Sequence, residues 1–135
     1  MKLTEKVKIV KAVAPTVGSA GTMTSTEVNA TGFNRVLFNI EVGAMTNTAT
    51  LDAYVQAATT TGGSFANTSS AALTQVADTG GGKVYLIDMP VDKSKAFLKL
   101  VIVTTTAAAV NGATAILYDA MNEPVTQTAG QTVVL

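Results

Sequence analysis

Cysteine and histidine are absent from this chain of 135 residues. Their absence excludes disulfide staples, thiol nucleophiles and Cys/His zinc sites, and with them the Ser-His-Asp and Cys-His catalytic arrangements. Tryptophan is absent too, leaving three Tyr and four Phe. A sugar platform built on exposed aromatic rings is therefore poorly supplied. Charged residues make up only 13% of the chain, against a usual share of roughly 25%. Lys plus Arg and Asp plus Glu balance at nine each, whereas a nucleic-acid binder shows an excess of positive charge. A chain with few charges and no net charge is colloidally vulnerable unless Thr, Ser and Asn solvate its surface or partners cover it. No cofactor is expected.

Long helical periodicity is missing as well. Residues 100–117, LVIVTTTAAAVNGATAIL, run without a charge, close to the length of a membrane span of about 20 residues. Their content is wrong for one. Thr104, Thr105 and Thr106 stand together, and β-branched residues lose rotamer freedom in a helix. Asn111-Gly112 is the strongest short signal for a two-residue hairpin turn, which predicts strands on either side of it, Phe97 to Thr104 and Ala113 to Ala120. No membrane segment is expected. The N-terminus, MKLTEKVKIVKAVAPT, superficially offers Ala12-Val13-Ala14 as a cleavage site. Lys6, Lys8 and Lys11 leave no apolar core of the ~7 residues a secretion signal needs.

What is present is a period of two. In Arg35 to Val42, Val36, Phe38, Ile40 and Val42 share one face and Leu37, Asn39 and Glu41 the other, the pattern of a half-buried antiparallel strand. Ala49 to Ala57 alternates in the same way, and Lys83 to Met89 less cleanly, closed by Pro90. Phe97 to Val103 is apolar on both faces except Lys99, as a central strand would be. Thr4 to Val13, Thr22 to Asn29, Ala72 to Ala77 and Ala113 to Ala120 complete a set of eight. The reading is all-β: an eight-stranded antiparallel β-sandwich, jelly-roll-like. One domain spans residues 1–135, with an N-terminal arm at 1–12 and a C-terminal tail at 122–135.

Catalysis finds little support. The nine carboxylates are spread along the chain, and no spacing singles out a pair for glycoside hydrolysis. Asp88 and Asp92 flank a turn without the alternating oxygen ligands of a calcium loop. Gly80-Gly81-Gly82-Lys83 imitates a phosphate loop, but Ala77 and Val84 stand where that motif needs Gly and Ser or Thr. It reads as a turn. The residues left for partner contacts are few. Lys2, Lys6, Lys8 and Lys11 form the one local charge asymmetry, opposed by Glu5; they read either as edge protection or as an arm docking on an acidic neighbour. Phe65 is the lone large apolar group of the loop Thr59 to Ser70, tucked back or offered to a partner. Val133, Val134 and Leu135 would cover a sheet edge or reach a neighbouring molecule.

Thr31 to Phe65 carries a resemblance. Its pattern is Gly32-Phe33, alternating Val36, Phe38, Ile40 and Val42, Gly43-Ala44, Ala49-Thr50-Leu51, Gln56, and a Gly-Phe pair spread over Gly62 to Phe65. An echo follows in Val84 to Asp88 and Phe97 to Ile102. This resembles the small capsid decoration or cement proteins of tailed bacteriophages and prophages. Where those proteins carry Arg-Tyr, this chain has Ala96-Phe97. The resemblance implies a sandwich bound in many copies to the outside of an icosahedral shell, with the major capsid protein as partner. It further implies oligomers on the virion, synthesis in the host cytoplasm and no enzymatic activity. The competing expectation is a carbohydrate- or receptor-binding module of a head or tail fibre.

Overall fold

A computed structural model describes residues 2–15 and 20–127. After a short 3-10 turn at Leu3–Glu5 come ten strands: β1 (Lys8–Val13), β2 (Gly21–Thr24), β3 (Val28–Asn29), β4 (Phe33–Met45), β5 (Thr50–Ala58), β6 (Ala66–Ala72), β7 (Val76–Ala77), β8 (Val84–Pro90), β9 (Phe97–Thr105) and β10 (Ala108–Ala120). One sheet runs β1-β10-β4-β8 and the other β2-β9-β5-β6; the two-residue strands β3 and β7 pair with β9 and β5. Every pairing is antiparallel.

The topology follows from these pairings. Among the eight longer strands the first pairs with the last (β1 with β10), the second with the seventh (β2 with β9), the third with the sixth (β4 with β8) and the fourth with the fifth (β5 with β6). That is one long double ribbon rolled up so that its segments alternate between two facing sheets. The fold is an all-β antiparallel sandwich of jelly-roll type.

Alternation explains the core. On β4, Phe33, Val36, Phe38, Ile40 and Val42 are buried while Leu37, Asn39 and Glu41 face out. They share one apolar core with Leu51 and Val55 of β5, Leu98, Leu100 and Ile102 of β9, and Ala113, Ala115 and Leu117 of β10. β9 lies centrally between β2 and β5, as its two-faced apolar run predicts. Even its outward Val101, flanked by Thr24 and Tyr54, is only 3% exposed.

Four expectations are corrected. Asn111-Gly112 is not a hairpin turn: β9 and β10 belong to different sheets, and the chain crosses between them after Thr105, where Thr106 adopts φ 55°. Asn111 and Gly112 instead sit inside β10 at a slip in register against β4, where Gly112 takes φ 134°. The freedom of glycine serves a bulge rather than a turn. Thr22 to Asn29 is broken in two by Ser25, whose backbone N–H donates to the Leu100 carbonyl while its Oγ accepts from the Leu100 N–H at 2.9 Å. The Thr-rich loop is shorter than expected, because strand pairing resumes at Ala66; the short strand placed at 72–77 is split between β6 and β7. Gly80-Gly81-Gly82 is a turn, packed so tightly that a Cβ on Gly80 would stand 2.4 Å from Val76 Cγ1.

Candidate functional site

The two open sides of the sandwich are unlike. On the β1/β2 side the backbone is stitched across. Thr26 N–H donates to the Ala12 carbonyl at 3.1 Å, and its hydroxyl donates to the Lys11 carbonyl at 3.3 Å. The Gln127 amide donates to the carbonyls of Thr4 and Val7, and Ile9 N–H donates to the Gln127 side-chain oxygen at 3.5 Å. The side chains of Gln127 and Thr26 therefore occupy the outer edge of β1. Opposite, β6 and β8 are both edge strands, and between them opens a cleft of about 610 Å³. Its floor is Ala57, Ala71, Ile87 and Leu98; its rim carries Asn67, Thr68, Asp88, Asp92 and Lys95. Small residues on β5 and β6 leave the space that larger side chains would fill.

Register also fixes the outer face of the β1-β10-β4-β8 sheet. Ile9, Ile116, Leu37 and Asp88 form one row across the four strands, and Lys11, Thr114, Asn39 and Leu86 the next. Glu41 and Val84 sit side by side beyond. Ile9, Val84 and Leu86 are 48%, 58% and 55% exposed. The face is thus an apolar stripe with a polar knot at one end. There Tyr118 donates its hydroxyl to Asp88 Oδ1 at 2.7 Å, and Arg35 Nη2 reaches the same oxygen at 2.9 Å. Arg35 Nε donates to the Tyr118 oxygen at 2.7 Å. The Tyr118 hydrogen bond, reinforced by Arg35, holds the Asp88 carboxyl below its ordinary value, and the Asp88 carboxylate in turn raises the Tyr118 phenol. Both shifts are those of a surface network. Arg35–Asp88 is the one ion pair among the described residues.

The residues singled out from sequence are dispersed. Lys2, Lys6 and Lys11 are exposed and Lys8 is half-buried. Lys8 and Lys11 do not share a face: Lys11 joins the outer row with Thr114, whereas Lys8 lies opposite Leu117 on the core side. Lys6 precedes the strand, in the turn capped by Leu3, and Lys2 N–H donates to Glu5 Oε2 at 2.7 Å. Phe65 is half-buried, with the Lys99 ammonium 4.3 Å from its ring centroid. Its loop is tied down by Glu27, which accepts from the Thr61 hydroxyl and the Gly62 N–H; those bonds, Thr61 first, lower the Glu27 carboxyl. Val133, Val134 and Leu135 lie outside the described residues. Among the described residues no three acidic side chains gather into a metal-binding group, and Asp92 is occupied by the backbone and hydroxyl of Ser94.

Sequence reading missed the outer stripe. Leu37 and Ile116 were its available signals, apolar side chains on otherwise polar faces. Their convergence with Ile9, Val84 and Leu86 depends on strand order, which one sequence does not contain.

No family model and no curated protein matches this sequence. Its fold is similar to solved structures of infectious bursal disease virus. The Gx strain gives a TM-score of 0.54 at 14% identity, covering 88% of this chain and 33% of that one. The VP2 subviral particle gives 0.51 at 13% identity, over 88% and 34%. The C-terminal CBM6 of LamC, a laminarinase of Zobellia galactanivorans, gives 0.43 at 10% identity, over 82% and 98%. This chain spans about a third of the viral chains it matches. At these identities the likeness is one of fold: a β-sandwich of the kind found in a viral capsid protein.

Proposed function

We propose that this protein is a non-enzymatic virion component of a tailed bacteriophage that decorates and stabilises the outer surface of the capsid. The observation that carries this reading is the apolar stripe of Ile9, Leu37, Ile116, Val84 and Leu86, which no described element covers, on a jelly-roll sandwich. A sandwich with an exposed apolar stripe has what lattice attachment needs, which is complementarity rather than chemistry. The resemblance of residues 31–65 to decoration proteins supplies the phage context, and the fold likeness to a viral capsid protein agrees with it. The partner is the major capsid protein. Lys11 supplies positive charge beside the stripe and Lys2 and Lys6 at the start of the chain, and Lys8, Phe65 and Val133 to Leu135 are further contacts.

Decoration stabilises by linkage. A protein that binds the assembled shell but not its free subunits shifts the equilibrium toward the shell, and a contact of about 1,200–2,000 Å² is enough for specificity. The test is co-sedimentation of the purified protein with undecorated capsids. Binding at micromolar concentration that is lost in Leu37→Lys, with the fold intact by circular dichroism, is the expected result. Failure of the unaltered protein to pellet with capsids overturns the reading.

The competing reading, a carbohydrate- or receptor-binding module, draws on one observation, the cleft rimmed by Asn67, Thr68, Asp92 and Lys95. Glycan binding abolished by Asn67→Ala would favour it.

A further inference from the structure

We propose that a second copy of this chain pairs with the open edge of β8, antiparallel about a two-fold axis at Leu86, joining two sandwiches through one continuous sheet. The hydrogen-bond phase of β8 makes the first part of the argument. Val91 N–H donates to the Asn34 carbonyl and Val42 N–H to the Lys83 carbonyl. In an antiparallel ladder such bonds recur at every second residue, so Tyr85, Ile87 and Met89 turn their backbone groups toward β4. Val84, Leu86 and Asp88 turn theirs away, toward an edge that no described strand covers.

β8 differs from every other edge in this respect. The edge of β1 is capped by Gln127 and Thr26. β2 is only four residues long. β6 is bulged against β5, and Ser70 within it adopts φ 67°, so it cannot template a straight neighbour. Among the described residues β8 alone is long, regular and uncapped, and two of the five large exposed apolar side chains, Val84 and Leu86, stand on it. Natural proteins rarely leave such an edge unpaired.

The partner is read from the symmetry of that edge. The free stretch is centred on Leu86, bounded by Gly82 and Lys83 at one end and by Pro90, which has no N–H, at the other. Antiparallel pairing of two copies sets Leu86 against Leu86 and Val84 against Asp88, and about six inter-copy hydrogen bonds satisfy every free group. The two apolar stripes then merge across a sheet about 34 Å wide. The pairing involves copies of this chain alone and holds whether or not the protein sits on a capsid.

The test uses the full chain. Sedimentation at about 100 µM should give twice the 13.8 kDa chain mass, and Leu86→Lys should return it to monomer with an unchanged circular dichroism spectrum. The axis is tested by cysteines, of which the chain has none of its own. Leu86→Cys places two thiols on residues about 5.5 Å apart, within the Cα range of disulfides of about 4.4–6.8 Å, so oxidised glutathione should cross-link it. Val84→Cys stands about 14 Å from its equivalent and should cross-link at least tenfold more slowly. A monomer at that concentration, a dimer indifferent to Leu86→Lys, or equal cross-linking of the two cysteine variants each overturns the proposal.

Discussion

At the scale of single residues, the informative side chains are those that replace backbone or forbid a methyl group. Ser25 is 6% exposed, and its Oγ accepts the Leu100 N–H where the ladder between β2 and β9 would otherwise lose a rung. Ser25→Ala leaves that donor unpaired in the interior and is expected to cost about 1–3 kcal/mol. Denaturant unfolding should show a lower midpoint at unchanged slope. Gly80 is buried, with Tyr85 donating its hydroxyl to the Gly80 carbonyl at 2.7 Å. A Cβ there would meet Val76 at 2.4 Å and the Tyr85 oxygen at 2.5 Å. Gly80→Ala must push both aside, an overpacking cost of about 1–3 kcal/mol, whereas Gly82→Asn, at φ 72° with open space around it, should be far milder. Thermal unfolding of the pair separates crowding from conformation.

At the scale of elements, alternation was enough to place β4, β5 and β8, because each has a buried face and period two reports which one, while the run apolar on both faces placed β9. It failed where a local signal competed with topology. Asn-Gly reads as a hairpin only if the flanking strands pair, and here β9 and β10 pair with different neighbours. Thr22 to Asn29 looks continuous because a serine inside a ladder leaves no mark on the pattern. β6 was read partly as loop since its Asn and Ser carry weak strand propensity, yet Gln56 and Asn67 bond across the pair at 3.0 Å. The same logic gives a quantitative expectation for β4. Phe38 is fully buried at its middle and shares the core with strands of both sheets. Phe38→Ala is expected to cost about 3–5 kcal/mol, and Leu37→Ala, one residue away on the outer face, under about 1 kcal/mol. Equal losses in urea unfolding would show that β4 does not separate core from surface as described.

At the scale of the whole molecule, pH and the N-terminus probe how the parts depend on one another. Glu27, Asp88 and Asp92 all sit below their ordinary values, held there chiefly by hydrogen bonds from Thr61, Tyr118 and Ser94. A depressed carboxyl stabilises the fold above its unfolded value and loses that contribution as pH falls through the folded one. With no histidine in the chain, thermal stability should stay level near neutrality and decline below about pH 4; a drop centred near pH 6 would contradict this.

The N-terminus gives the sharper test, since the sequence reads residues 1–12 as an arm and also Thr4 to Val13 as a strand. Lys8–Val13 is a strand of the sheet, in register with Leu117 to Ala113 of β10, and Ala12 and Lys11 accept the Thr26 bonds that close this side of the sandwich. Deleting residues 1–12 should therefore strip the edge from β10, expose Leu117 and lower the unfolding temperature sharply. Docking is separable from folding at Lys2 and Lys6, which precede the strand and are exposed. Replacing both with Ala should leave stability within about 0.5 kcal/mol while weakening co-sedimentation with capsids, most visibly at low salt, where exposed charges are least screened. Unchanged capsid binding by that double variant would assign attachment to the apolar stripe alone.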